Sequence, residues 1–292
     1  MFDASMEFLR EMVKKLRAML GVEVVDVTNL TTKVQYDQLE LVTKEREDAT
    51  RVLREMSIIN PRIRYDHEYS NAAELEVLTG VPCNFEGTHY WFWSPILLIH
   101  KVLGPIIGWP HGWGVPLLDV GAGNGTLILA LQSMGSPPHY THGVDISEGA
   151  QKRIKETGGQ SFQGTLLEVS DKLPVPEHGY SSIFLSYFID RDENQRETFR
   201  KASELLHRNG GRIILEGLFP CVLADSSGVS YGAANVTKGN DAVEDIQLVI
   251  AEFARLSMYR MYLEKIIVGQ RLVYSMDGPE VLPSYILVFK KI

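Results

Sequence analysis

Leu117-Leu118-Asp119-Val120-Gly121-Ala122-Gly123-Asn124-Gly125-Thr126 is an apolar strand that runs into three glycines at alternate positions and then into the start of a helix. Glycine lets a backbone turn sharply and approach a ligand that a Cβ would repel. The amides that open the following helix favour a carboxylate or another anion. Twenty residues past Gly125 stands Asp145, closing the strand of Gly143-Val144-Asp145. An acid there can accept both hydroxyls of a ribose, as in dinucleotide sites. The spacing nevertheless departs from the dinucleotide fingerprint, whose third glycine lies where this chain has Thr126. Asp119, two residues before the first glycine, would sit badly against a pyrophosphate and suits a cationic ligand instead.

Outward from this stretch the pattern alternates. Strands are predicted at 117–120, 140–144, 160–163, 182–186 and 212–215, with helices at 126–132, 148–156 and 193–206 between them. Such alternation gives a mostly parallel, seven-stranded α/β sheet of Rossmann-like form with helices on both faces. A helix over about 243–262 and two strands near 265–273 and 284–290 complete it.

The first third reads as helical. Met6, Leu9, Val13, Leu16 and Leu20 recur at helical spacing and stop at Gly21, a C-cap. A second helix is expected from Val34 to Ile59, ended by Asn60-Pro61, and a short one over Ala72–Thr79. Phe85–Trp93 reads as the opening of an aromatic-rich helix, and Gly108–Gly114 as a turn-rich loop. The boundary falls in that loop, giving an N-terminal helical cap or dimerisation region, 1–114, and a ligand-binding domain, 115–292.

Asp119-x-Gly121-x-Gly123-x-Gly125 resembles the first motif of class I S-adenosylmethionine-dependent methyltransferases, with every position filled. The likeness continues through Phe162–Leu166, where the family places the loop beside the adenine, and through Ser182–Phe188 and Glu204–Glu216. It implies S-adenosylmethionine as cofactor. Asp119, Gly121, Gly123, Asn124, Gly125, Asp145, Ile146, Thr165, Leu166 and Ser186 would hold it, with Ile146 on the adenine face. Thr165 departs from the acid often found there, leaving the adenine amino group to the Thr165 hydroxyl, a backbone group or Glu168.

The reaction implied is an in-line displacement at the sulfonium methyl, helped by positioning and, for an oxygen or carbon acceptor, by a base. No histidine follows the fourth strand, where small-molecule O-methyltransferases often carry one. Candidate catalytic groups are therefore His89, Tyr187 and Glu216. Tyr90, Trp93, Phe188 and Tyr231 are candidates for lining an apolar or aromatic substrate pocket. Tyr231 lies in a glycine- and serine-rich stretch that is expected to cover the ligand.

Composition narrows the partners. A net charge of −8 weighs against a nucleic-acid or membrane surface. Two distant cysteines, Cys83 and Cys221, suggest reduced thiols in the cytoplasm, and the histidines show no metal-ligand spacing. The N-terminus has no signal-peptide pattern, and the most apolar region, 91–109, is too interrupted to span a membrane. The expectation is a methyltransferase for a small metabolite in biosynthesis. Its alternatives are a protein of the same fold that binds the cofactor without methyl transfer, and an RNA or protein methylase. The amphipathic first helix must pack on its own chain or a partner, which raises a homodimer.

Overall fold

The computed structural model describes residues 2–26, 83–84, 89–91, 116–123, 125–133, 135–156, 158–185, 194–218, 250–251, 253–258, 260–275 and 278–292. The expected helices at 34–59 and 72–79 lie outside them. Along the chain come α1 (Phe2–Leu20), β1 (Glu23–Asp26), β2 (Cys83–Asn84), β3 (His89–Trp91) and β4 (Leu117–Val120). Then follow α2 (Thr126–Ser133), β5 (Thr141–Asp145), α3 (Glu148–Glu156), β6 (Gln160–Gln163) and α4 (Leu166–Val169). β7 (Ser182–Leu185), α5 (Gln195–Leu205), β8 (Arg212–Leu218), β9 (Met261–Ser275) and β10 (Gly278–Lys291) complete the order.

Seven strands, β4 to β10, form the sheet that the alternation predicts, in the order β9-β10-β8-β7-β4-β5-β6. β4 pairs in parallel with β5 and β7, β5 with β6, and β7 with β8. β10 enters antiparallel between β8 and β9. The chain builds outward from β4 to β6 and then returns to the other side of β4. Such a reversal opens a crevice beyond the carboxyl ends of the strands, where α/β sheets bind ligands.

The sheet grows to ten strands through β1, β2 and β3. These three strands extend the expected seven, and β3 corrects one expectation, a helix through His89–Trp91. β3 pairs antiparallel with β9, His89 opposite Val273 and Trp91 opposite Arg271. The outer margin of β9 offers unpaired amides and carbonyls, and an aromatic run has the propensity to join it. β1 covers the same margin further along, in parallel, Glu23 opposite Lys265. The first third of the chain is thus continuous with the main sheet wherever it is described.

Helices cover both faces. Leu118, Val144, Ile183, Leu185, Ile213 and Leu215 point to one face and share a core with Met12, Val13 and Leu16 of α1 and Phe199 and Ala202 of α5. On the other face Ile128 of α2 and Ile154 of α3 close over Ala122. Val13 and Leu16 of the α1 stripe are therefore buried on their own chain, Leu16 completely. α1 ends at Gly21, whose φ of +63° is the left-handed cap that glycine adopts most cheaply.

The last helix ends before the expected residue 262. Described helix ends at Leu256, the chain turns through Ser257 and Met258, and Tyr262 already belongs to β9. Phe253 fixes that end, stacked 3.9 Å from Phe199 and edge-on to Phe289. Once Phe253 is anchored, the sheet claims the following residues. α5 likewise begins at Gln195, with Asn194 as its cap, rather than at Asp192–Glu193. No described helix is long and apolar enough to cross a membrane.

One polar pair is built into the amino-end side of the sheet. His142, 3% exposed, contacts Tyr180 Oη through Nδ1 at 2.8 Å and the His139 carbonyl through Nε2 at 3.1 Å. A carbonyl only accepts, so Nε2 carries the proton and the Tyr180 hydroxyl donates to Nδ1. Burial pushes the His142 pKa below 6.5, opposed by the bond to His139. The unfolded chain then binds the proton more readily. His142 gives its full contribution above about pH 6.5, and stability falls as pH drops below that value. Denaturation midpoints at pH 7.5 and 5.5 are expected to differ more in the wild type than in His142→Gln.

Candidate cofactor and acceptor site

Asp119 lies level with Gly143 on β5 and with Phe184 on β7, and Phe184 lies level with Ile214 on β8. Side chains two residues apart share a face. Asp119, Asp145 and Glu216 therefore stand on one face, toward the carboxyl ends of their strands. Strand spacing puts Glu216 roughly 10 Å sideways from β4. All three carboxylates are buried, at 4%, 5% and 4% exposure.

The glycine loop wraps over β5. The Gly121 and Ala122 amides both donate to the Val144 carbonyl, at 2.8 and 3.1 Å. Gly121, Gly123 and Gly125 all have positive φ, at +76°, +54° and +76°. At Gly125 a Cβ would also lie 2.9 Å from Ile154 Cγ1 of α3. The loop thus needs glycine for its path and for its packing on α3.

Asp145 holds the loop and the next turn together. Its Oδ2 accepts from the Gly123 amide and its Oδ1 from the Ser147 amide, each at 2.9 Å. Its own carbonyl accepts from the Gly164 amide at 2.8 Å. Gln151 of α3 was not foreseen. Its Nε2 donates to the carbonyls of Asp145 and Phe162, at 3.3 and 3.0 Å, clamping the ends of β5 and β6. A glutamine within an amphipathic helix gave no signal of this.

Asp119 is different. Its Oδ1 is buried and meets no hydrogen-bond partner among the described residues. Burial first, and the charge of Asp145 second, push its carboxyl from 3.8 up to about 7. Two buried acids beside a glycine loop suit a ligand that is cationic at one end and ribosyl at the other.

The adenine side is more occupied than the sequence suggested. Thr165 caps α4: its hydroxyl accepts from the Glu168 amide, and the Glu168 carboxylate accepts from the Thr165 amide at 2.8 Å. Both side chains are thereby committed to a capping box. Leu166 is 1% exposed within the main core, so a contact from it would come from its backbone. Ile146 is half-buried beside Asp145.

The β9–β10 hairpin outruns the sheet. Ser284 opposite Leu218 is the last rung with β8, and Gly278–Pro283 pairs on with Gln270–Ser275 beyond it. That extension rises on the carboxyl-end side, the side of the crevice. β3 lies along it, carrying His89 and Tyr90 there as strand residues. Asn124, Ser186, Tyr187, Phe188, Trp93 and Tyr231 lie outside the described residues. Among the described residues no group of His, Cys, Asp and Glu could hold a metal ion.

A Rossmann-like sheet, a glycine cradle after β4 and an acid closing β5 define a nucleoside-binding α/β domain. Residues 117–210, about a third of the chain, match the family model described as a methyltransferase domain. The glycine loop and Asp145 both fall within the matched stretch. No curated protein matches the chain. Among solved structures, the chain is similar to a candidate RNA methyltransferase from Pyrococcus horikoshii, at 15% identity over 68% of this chain and 81% of that one, TM-score 0.44. It is similar to an S-adenosylmethionine-dependent methyltransferase from Methanosarcina mazei, at 12% over 64% and 97%, TM-score 0.44. Another from Mesorhizobium loti gives 15% over 64% and 96%, TM-score 0.41.

Proposed function

We propose that this chain transfers the methyl group of S-adenosylmethionine to a small, apolar or aromatic metabolite in a cytoplasmic biosynthetic pathway. The observation that carries the reading is the placement of Asp119, Asp145 and the glycine loop at one crevice, with an unpartnered buried oxygen on Asp119. The residues fit the cofactor: the cradle runs through Gly121, Gly123 and Gly125, and Asn124 would join it. Asp145 would take the ribose hydroxyls, and Asp119 the cationic amino-acid end. Ile146 would meet the adenine face, with the backbone at Thr165 and Leu166 at its edge and Ser186 beside it.

When bound, the cofactor supplies an activated methyl group. The chain's residues would orient the acceptor and take its proton. Glu216 stands on the correct face and end of the sheet for that role. His89, opposite Val273 on β3, and Tyr187, which follows β7 in sequence, would be the other candidates for it. Tyr90, Trp93, Phe188 and Tyr231 would supply apolar walls. The net charge of −8 supports a small-molecule acceptor over RNA or a membrane. A homodimer through the N-terminal helices is part of the proposal, although Val13 and Leu16 of the α1 stripe pack within one chain.

Incubation with methyl-labelled S-adenosylmethionine and a panel of aromatic phenols, amines and activated carbon acids tests this. Label is expected on at least one small acceptor, with S-adenosylhomocysteine released in equal amount. Label appearing on RNA or protein alone would overturn the small-molecule reading. Binding without release would favour a non-transferring protein.

A further inference from the structure

We propose that Gln151 is a positioning residue for the adenosyl end of the ligand: it sets where β5 and β6 stop, and so holds the ribose acid and the adenine edge in one frame. The inference rests on the cofactor reading above, in which Gln151 has no part.

Gln151 lies on the buried face of α3, three residues before Ile154, and is 3% exposed. Its Nε2 donates to the Asp145 carbonyl at 3.3 Å and to the Phe162 carbonyl at 3.0 Å. Carbonyls only accept, so the amide nitrogen faces them and Oε1 faces away. The two carbonyls flank the last rung between the strands, Asp145 opposite Gln163. Beyond that rung the two segments part. One passes through Ile146 and Ser147 into α3, the other through Gly164 and Thr165 into α4. These are the two turns that would meet the adenosyl group. Ser161 Oγ also donates to the Gln151 carbonyl, at 3.2 Å. Gln151 thus ties α3 to β6 by side chain and by main chain.

A residue chosen for stability alone would look different. Gln151 Oε1 is buried and meets no hydrogen-bond partner among the described residues. An acceptor stranded in this way costs at least as much as a typical hydrogen bond returns. Methionine has a similar length, fills irregular space well and strands no amide. In its presence the Asp145 carbonyl would keep the Gly164 amide, at 2.8 Å. The glutamine amide therefore adds little net stability. What it supplies is direction, because two bonds from one planar group fix two strand ends against one helix. Asp145 stands at one of those ends, its carboxylate bonded to the Gly123 and Ser147 amides. A shift there moves the ribose acceptor relative to the adenine edge, and displacements of about 1 Å are already costly in a site.

Calorimetric titration of the full chain with S-adenosylhomocysteine and with adenosine, beside thermal melts, tests this on Gln151→Met and Gln151→Glu. Both ligands carry the adenosyl group. Gln151→Met is expected to weaken the two alike, by about tenfold, the equivalent of the lost clamp, while melting at or above the wild-type temperature. Gln151→Glu adds a pH signature that a merely structural role would not give. Its carboxyl donates to one of the two carbonyls when protonated and repels both when ionised. Its affinity relative to wild type is therefore expected to rise about threefold or more between pH 8 and pH 5.5. Wild-type affinity in Gln151→Met, with or without a lower melting temperature, would overturn the proposal and leave the cofactor reading standing. So would a ratio for Gln151→Glu that does not change with pH, or failure of both variants to fold. A wild-type chain that binds neither S-adenosylmethionine nor S-adenosylhomocysteine would overturn both.

Discussion

Asp145→Ala is expected to weaken S-adenosylmethionine binding at least about a hundredfold, equivalent to about 2.7 kcal/mol, and to lower the melting temperature as well. The two losses have separate causes. The carboxylate accepts from the Gly123 and Ser147 amides at 2.9 Å. Removing it strands two buried donors, each worth about 1–3 kcal/mol when unpaired. Part of that is recovered, because Asp119 no longer faces a second buried charge. The affinity loss has no such offset, since the ribose loses its acceptor and the glycine loop loses the brace that shapes it. Asp145→Asn separates the contributions. It keeps an acceptor for one amide, removes the charge, and is expected to retain more stability than affinity. Titration calorimetry and thermal melts on both variants read the difference. An alanine variant within threefold of wild-type affinity would sink the assignment of Asp145 to the ribose.

Gly179→Ala is expected to cost at least about 3 kcal/mol of stability, enough to unfold a marginally stable chain. Gly179 has φ +88°, and a Cβ on it would lie 2.6 Å from Leu206 C, 2.7 Å from His207 N and 2.8 Å from Leu205 O. All three are main-chain atoms, so no side chain can swing aside. The junction cannot move freely either. The Tyr180 amide donates to the Leu205 carbonyl, and the His207 amide donates to the Tyr180 carbonyl at 2.7 Å. These bonds tie the end of α5 to the segment that enters β7. Gly21→Ala is the matched control: φ is +63° there, with nothing within 4 Å of the added carbon. It is expected to cost only about 1 kcal/mol, the strain of the left-handed backbone. Chemical denaturation of both variants compares them, and equal losses would show that backbone conformation, rather than crowding, sets the cost.

Much of the cofactor half was readable in the order of residues, because its signals are local. A glycine at every second position, an acid twenty residues on and strands near four residues long each follow from short-range chemistry, and β4 through β8 stand close to where they were expected. Local signals fail where a distant partner decides the conformation. Tyr90 and Trp91 read as helix because aromatic residues accept either state, and the open margin of β9 settles the matter. Tyr262 read as helix because its apolar period ran on, yet Phe253, held by Phe199 and Phe289, ends the helix before it. The reading of Thr165 missed its partner within the next turn. Glu168, three residues later, claims its hydroxyl for a cap. Gln151 could not be found at all, since two carbonyls on different strands give it its role.

The margin of β9 has a wider consequence. A sheet ends somewhere, and its last strand can recruit a neighbouring molecule through the same amide-to-carbonyl ladder that holds the protein together. Here Glu23–Asp26 lies along one stretch of that rim and His89–Trp91 along another. Segments far apart in sequence thus act as a selvedge along β9. Both stretches of that rim are thereby closed to a further strand.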